Sequence, residues 1–131
     1  MTLIIWYLAG PMSHIKSFNF PAFEAAAAKL RDMGYLIVSP AELDNPADYA
    51  AAMASPDGKP TDANGTWGDY LARDVKIVAD EVSGIIFLPG WEKSRGARLE
   101  AYTGILCGHQ FAFYDNGAVT PLTTEWVRAR L

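Results

Sequence analysis

An uninterrupted apolar run at the start of the chain constrains the fold more than any other feature. Leu3 to Ala9 is rich in branched and aromatic side chains, which is typical of a strand covered on both faces, as in a parallel sheet. Phe20-Pro21 then opens a helix that Gly34 closes, because Pro fits a first helical turn and Gly fits a C-cap. Tyr35 to Val38 predicts a second strand, so the chain begins with a strand–helix–strand unit.

The same alternation continues along the chain. Apolar periodicity predicts a short helix after Asn45-Pro46, strands over 84–88 and 110–114, and helices over 67–79, 94–107 and 123–131. Residues 54–65 are rich in Pro, Gly, Asp and Asn, which predicts a mobile surface loop. We therefore expect residues 1–131 to form one α/β domain. It would be a three-layer sandwich whose small parallel, flavodoxin-like or Rossmann-like sheet has four to five strands flanked by helices.

Composition narrows the classes of partner and compartment. The 131 residues carry 11 basic and 15 acidic side chains, a net charge of −4, which disfavours binding to the backbone of DNA or RNA. The single Cys107 excludes an intramolecular disulfide, so we expect a reducing, cytoplasmic compartment and a buried packing role for this thiol. No apolar run approaches the ~20 residues of a membrane span, and we expect no membrane partner. The apolar start lacks the basic leader of a signal peptide.

Parallel sheets bind their ligands beyond the carboxyl ends of the strands. Segments 10–14, 39–42 and 89–96 follow the first three predicted strands and are rich in Gly, Ser and Pro. Glycine lets a backbone approach a ligand, and a helix N-terminus offers N–H groups to an anion. The candidate binding residues there, with one aromatic neighbour, are Gly10, Pro11, Met12, Ser13, His14, Phe18, Gly90, Trp91, Ser94, Arg95 and Gly96.

Two acidic residues, Asp74 and Glu100, are expected to lie within reach of a site at the carboxyl edge of the sheet. Asp74 is in mid-helix at the border of an apolar stripe, where capping does not explain it and a carboxylate needs a partner or a chemical role. Glu100 lies nearly two turns into the helix for which Ser94 is a plausible N-cap. A solvated face is the ordinary alternative for Glu100, and surface ion pairing is the alternative for Arg95 and Arg98.

Several common sites have no signature in this sequence. His14 and His109 lack ligand spacing around them, so we expect no metal site. The sequence has no Gly-x-Gly-x-x-Gly fingerprint, no triphosphate-binding loop and no Gly-x-Ser-x-Gly elbow. We expect no organic cofactor.

Six short motifs resemble those of a known group of proteins. They are YLAGPM (7–12), FNFPAF (18–23), GY (34–35), SPAE (39–42), LPGWE (88–92) and SRGARLE (94–100). In this order they resemble a small phage and bacterial family of uncharacterised domains, which looks like a branch of the nucleoside 2-deoxyribosyltransferase superfamily. The resemblance covers nearly the whole chain.

This resemblance implies cleavage of the bond between a sugar C1′ and a base, in a nucleoside or a nucleoside 5′-monophosphate, by hydrolysis or by transfer to a second base. It implies that Glu100, in a Gly-x-x-x-Glu turn, is the nucleophile and that Asp74 contacts the sugar or assists proton transfer. Gly10 would line the pocket floor, and Ser13 and Ser94 would hold a 5′-phosphate. It also implies a homo-oligomer of two or more subunits, each completing the pocket of a neighbour.

Three points stay open at this stage. His14, Phe18 and Trp91 are the obvious groups for stacking on a base, and the identity of that base is open. Trp126 suits either a subunit contact or the core. The alternative functions are a non-catalytic domain that binds or senses a nucleotide, and a flavodoxin-like partner protein that acts through its surface.

Overall fold

A five-stranded sheet forms the centre of the computed structural model, which describes residues 3–131. Its strands are β1 (Ile5–Ala9), β2 (Leu36–Val38), β3 (Gly84–Phe87), β4 (Gln110–Asp115) and β5 (Ala118–Leu122). They lie in the order β2-β1-β3-β4-β5. The first four strands are parallel, and β5 runs antiparallel to β4.

Five helices cover the two faces of the sheet. They are α1 (Phe20–Asp32), α2 (Pro46–Ala54), α3 (Trp67–Asp80), α4 (Arg95–Cys107) and α5 (Thr124–Arg128), and single 3-10 turns lie at 16–19, 40–42, 60–62 and 91–93. Helices α1 and α2 contribute to one apolar core, and helices α3, α4 and α5 contribute to the other. The predicted three-layer α/β sandwich is confirmed. None of the helices in residues 3–131 is long and apolar enough to cross a membrane.

The apolar runs are continuous because the central strands are buried on both faces. Along β1, Leu8 enters the core under α1, whereas Tyr7 and Ala9 enter the core under α3 and α4. Along β3, Ile86 packs in the core under α1, and Ile85 packs in the core under α3 and α4. This alternation is what a strand with period two requires when both faces are covered.

Side-chain caps fix the N-terminal ends of helices α3 and α4. Thr66 and Asp69 form a reciprocal capping box at the start of α3, which satisfies two of the free N–H groups at that helix end. Ser94 accepts a hydrogen bond from the Ala97 N–H at 3.2 Å and is the N-cap of α4, as its sequence position indicated.

The hairpin β4–β5 was not predicted from the periodicity. Asn116 and Gly117 both adopt positive φ, as a tight hairpin turn requires, and Asn-Gly was the available signal. Strand β5 contains Pro121 and is half exposed, so it lacks an apolar run and tolerates Pro because it lies at the edge.

Two further expectations differ from the structure. Cys107 is exposed at the end of α4, because Ala97, Ala101 and Gly104 form the face that packs on the sheet; its predicted burial is wrong. The segment 54–65 begins in the last turn of α2 and contains a 3-10 turn at 60–62. It is tied to the loop after β1, and the mobility expected of it stays a prediction.

Candidate active site

A cavity of about 890 Å³ opens at the carboxyl edge of the parallel strands. Its walls come from the loop after β1, the turn after β3, the first turns of α3 and α4, and parts of residues 40–63. The strand order reverses between β1 and β3, and doubly wound sheets bind ligands in the crevice at such a point. The cavity is therefore where this topology places a site.

The structure brings almost all of the predicted site residues together around this cavity. Those that line it are Gly10, Pro11, Met12, Ser13, His14, Phe18, Asp74, Gly90, Ser94, Arg95, Gly96 and Glu100. Trp91 does not line it. Its side chain is fully buried and stacks on Phe87 with ring centroids 4.0 Å apart, so Trp91 is a core residue and offers no face to a ligand.

Glu100 lies at the floor of the cavity, on the buried face of α4. Tyr7 of β1 donates a hydrogen bond from its hydroxyl to Glu100 Oε2 at 2.5 Å. Burial, followed by the nearby charge of Asp74, raises the pKa of Glu100 to about 8. Burial also raises the pKa of Tyr7 well above its ordinary value. Glu100 therefore holds its proton at neutral pH.

Asp74 is the second buried carboxylate at the floor, and a cation balances its charge. Arg73 Nε donates to Asp74 Oδ1 at 2.9 Å, and Arg73 Nη1 donates to Asp44 Oδ1 at 2.7 Å. Burial raises the pKa of Asp74, although the adjacent guanidinium opposes that shift. Because Arg73 contacts Asp74 and not Glu100, the negative charge of the pair resides on Asp74.

Reasoning from the sequence missed three members of this network: Tyr7, Arg73 and Asp44. Tyr7 lies in an apolar run that predicts a buried strand, and its hydroxyl was the only signal of a polar role. Arg73 directly precedes Asp74, so this pair of opposite charges was visible in the sequence. The turn at 40–42 brings Asp44 to Arg73, and no local sequence pattern indicated that Asp44 belongs to the site.

Basic groups lie at the mouth of the cavity. Lys93 and Arg95 line it beside the first turn of α4. The Arg95 guanidinium lies over the Trp67 ring, 5.0 Å from its centroid, so Trp67 is an aromatic wall that the sequence analysis did not assign. Arg98 does not share this position, because its Nη2 donates to the Leu131 carbonyl oxygen at 2.6 Å.

The other half of the cavity is apolar and depends on the loop after β1. Phe18 is nearly buried there, with Phe20 and Phe23 beside it. Ser17, Phe18 and Asn19 all adopt left-handed φ, an uncommon conformation for residues other than Gly. Asn19 Nδ2 donates to the Pro11 carbonyl oxygen at 2.9 Å, which ties the loop across its base. The aromatic surface suits a planar apolar ligand group.

The two histidines lie apart. His14 is exposed and lines the cavity, whereas His109 is buried, with Nε2 2.6 Å from the Val78 carbonyl oxygen. Within residues 3–131, no group of three or more His, Cys, Asp or Glu side chains is arranged to hold a metal ion.

Comparison with known proteins identifies one family. Residues 4–113 match the model of a family described as "Domain of unknown function (DUF4406)". This match spans strands β1 to β3, most of β4 and all of the residues that line the cavity. No curated protein matches the chain.

Proposed function

The chain belongs to the DUF4406 family, and from its site we propose that it cleaves the N-glycosidic bond of a nucleoside or a nucleoside 5′-monophosphate. The observation that carries the proposal is the buried pair Glu100 and Asp74 at the floor of the cavity, with the Tyr7 hydroxyl on Glu100. Glycosidic cleavage uses two carboxylates in different environments. The motif resemblance to nucleoside 2-deoxyribosyltransferases supports the same reaction.

In this proposal Glu100 is the nucleophile. A carboxylate oxygen attacks C1′ of the sugar as the C1′–N bond breaks, and the bonding electrons leave with the base. The transition state resembles an oxocarbenium ion. Its positive charge favours the ionised form of Glu100 over the protonated form that burial otherwise favours. The Tyr7 hydrogen bond selects one orientation of the Glu100 carboxylate and leaves Oε1 to attack.

The departing base needs a proton, and the carboxylate pair supplies one. At neutral pH the proton on Glu100 is the proton that must move before attack. Asp74 lies near Glu100 and has a raised pKa of its own, so it relays this proton towards the base. The result is a neutral base, a glycosyl ester on Glu100 and an ionised Asp74.

The second half of the reaction determines its class. Water that attacks C1′ of the ester restores Glu100 and releases the sugar, which makes the protein a hydrolase. A second base that attacks instead makes it a transferase. The aromatic half of the cavity, around Phe18, would hold the base in either case, and Lys93 and Arg95 at the mouth would face a 5′-phosphate. A reducing, cytoplasmic compartment completes the proposal.

The test is release of free base from a panel of nucleosides and 5′-monophosphates, with and without an added acceptor base. We expect release by the wild-type protein and loss of at least about a thousandfold in Glu100→Gln. Glu81→Gln is the matched control, because Glu81 is exposed at the C-terminal end of α3, away from the cavity. Undiminished turnover by Glu100→Gln would remove Glu100 from the nucleophile role.

A second candidate function is a non-catalytic domain that binds a nucleotide. The observation that favours it is the pKa of Glu100, about 8, since a protonated acid donates a hydrogen bond to a ligand and is a poor nucleophile. Base release separates the two functions. If no member of the panel is cleaved and one uncleaved nucleotide raises the melting temperature, the binding function is favoured.

A further inference from the structure

Asp48 is an acidic residue in the wall of the cavity that the proposed reaction does not use. It lies in the first turn of α2 and lines the cavity together with Ala52, one turn further along the same face of the helix. Ala52 packs in the apolar core cluster that contains Phe18 and Phe20. Asp48 therefore lies at the border of the aromatic half of the cavity.

Helix capping does not use the Asp48 carboxylate. In α3, Asp69 holds the same third position after the N-cap, and its Oδ2 accepts a hydrogen bond from the Thr66 N–H at 3.2 Å. In α2 only half of this arrangement is present. The Asp48 N–H donates to Asn45 Oδ1 at 2.9 Å, and the Asp48 carboxylate accepts no hydrogen bond in return among residues 3–131. It is thus free to accept hydrogen bonds from a ligand.

No cation in the described part of the chain neutralises Asp48. Arg73 is engaged by Asp44 and Asp74, and within residues 3–131 no Lys, Arg or His forms an ion pair with the Asp48 carboxylate. A carboxylate is an acceptor only, and covering it with a ligand is costly unless the ligand supplies N–H or O–H donors. The ligand group that contacts Asp48 therefore carries donors.

The basic groups of the cavity belong to a different layer of the fold. Lys93 lies in the turn before α4, and Arg95 is the first residue of α4. Helix α4 packs in the core on one face of the sheet, whereas α2 packs in the core on the other face. A ligand that spans the cavity thus meets cations on one side and a carboxylate on the other. A nucleoside 5′-monophosphate matches this pattern if its base presents N–H donors.

The donor pattern of each base decides which one fits a carboxylate. Guanine presents two adjacent donors, N1–H and the 2-amino group, which match the two oxygens of a carboxylate in a bidentate pair. Adenine and cytosine present one amino group beside a ring nitrogen whose lone pair repels the second oxygen. Uracil, thymine and hypoxanthine present one N–H with no second donor next to it. Guanine is therefore the base that Asp48 fits.

We propose that the base of the substrate is guanine and that Asp48 selects it. The Asp48 carboxylate accepts hydrogen bonds from N1–H and from the 2-amino group, while the aromatic surface around Phe18 contacts the plane of the base. This assignment rests on the proposed function, because it takes the ligand to be a nucleoside or a nucleotide. It makes Asp48 a specificity-determining residue, distinct from the pair Glu100 and Asp74 that carries the reaction.

Binding measured without cleavage tests the assignment. In a Glu100→Gln background, we expect guanosine and 2′-deoxyguanosine 5′-monophosphates to bind at least about tenfold more tightly than the matching inosine nucleotides, which lack only the 2-amino group. Isothermal titration calorimetry measures both affinities. Asp48→Asn in the same background is expected to remove this preference, because an amide replaces one acceptor oxygen by a donor. Asp32→Asn, at an exposed position at the end of α1, makes the same change of charge and is expected to keep the preference.

The outcomes separate this assignment from the proposed function. Equal binding of guanine and hypoxanthine nucleotides, or a guanine preference that Asp48→Asn retains, overturns the assignment even if the wild-type protein releases free base. A guanine preference that Asp48→Asn abolishes supports the assignment even if the wild-type protein releases no base. Failure of every nucleotide to bind overturns both. Asp48 is half-buried, so Asp48→Asn is expected to fold, and circular dichroism checks this.

Discussion

Arg73 is the residue on which the charges at the cavity floor depend. It joins Asp74 of α3 to Asp44 of the segment before α2, and its Nη2 also points at the Pro40 carbonyl oxygen, 3.4 Å away. One guanidinium thus holds two carboxylates and a loop. Isolated buried carboxylates are costly, and a pre-organised Arg fork compensates two at once.

Replacing Arg73 is therefore expected to destabilise the fold. Arg73→Met leaves Asp44 and Asp74 without their cation, and we expect the free energy of unfolding to fall by about 2 kcal/mol. This lies below the loss for a fully buried pair, because the Arg73 side chain is 30% exposed. Urea denaturation at neutral pH measures it. Lys76→Met removes the exposed ion pair with Asp80 on the same helix and should leave stability nearly unchanged. Equal losses in both variants would contradict the role given to Arg73.

At the scale of elements, two loops far apart in sequence form one wall of the cavity. His14 donates from its backbone N–H to the Gly58 carbonyl oxygen at 2.8 Å, and Ser17 donates likewise to Ser55 at 2.9 Å. The Ser17 hydroxyl donates to the Met53 carbonyl oxygen at 2.7 Å. These bonds hold the left-handed turn that contains Phe18, so residues 53–58 position the aromatic half of the cavity.

Gly58 is the tightest point of this contact. A Cβ at Gly58 would lie 2.2 Å from the Ile15 carbonyl oxygen, and its φ is +66°. We expect Gly58→Ala to lower the free energy of unfolding by about 2 kcal/mol, measured by thermal and urea denaturation. In Gly68→Ala the new Cβ meets only the Thr66 hydroxyl at 3.8 Å, so this helical control should gain up to about 1 kcal/mol. A Gly58→Ala protein as stable as the wild type would mean that the two loops are not held together.

At the scale of the whole molecule, the buried Glu100 makes stability depend on pH. Its ordinary pKa of 4.5 is raised to about 8 by burial, so the folded state binds more protons than the unfolded state between these values. The stabilisation from this group is complete below about pH 4.5 and is lost as the pH rises through about 8. Wild-type stability therefore falls over this range by the contribution of Glu100.

Glu100→Gln removes this dependence and keeps an acceptor for the Tyr7 hydroxyl. We expect the variant to gain about 1–3 kcal/mol of unfolding free energy over the wild type near pH 9, and to lose this advantage towards pH 5. Denaturation across that range measures it, with Glu81→Gln as the control that follows the wild-type curve. Parallel curves for wild type and Glu100→Gln would mean that Glu100 titrates as an ordinary carboxyl group.

Local sequence patterns were sufficient to predict most strands and helices of this protein and some of its helix caps. Apolar runs and the caps Ser94 and Gly34 act through periodicity and backbone geometry within a few residues. The strands, most helices and these caps could therefore be predicted in order along the chain. Parallel strands also place their following loops at one edge, which is why Gly10, Ser94 and Glu100 could be assigned to one site before its geometry was known.

The burial and the partners of several site residues depended on contacts between distant segments, which the sequence does not show. Trp91 and Phe18 both follow elements that border the cavity, yet packing buries Trp91 against Phe87 and leaves Phe18 at the cavity wall. Tyr7 meets Glu100 across 93 positions, and Asp44 meets Arg73 across 29. Contacts between distant segments decide whether a side chain faces solvent, the core or the cavity. They also decide which partner and how much burial shift the pKa of a carboxyl group. These contacts form only when the three layers of the fold have assembled.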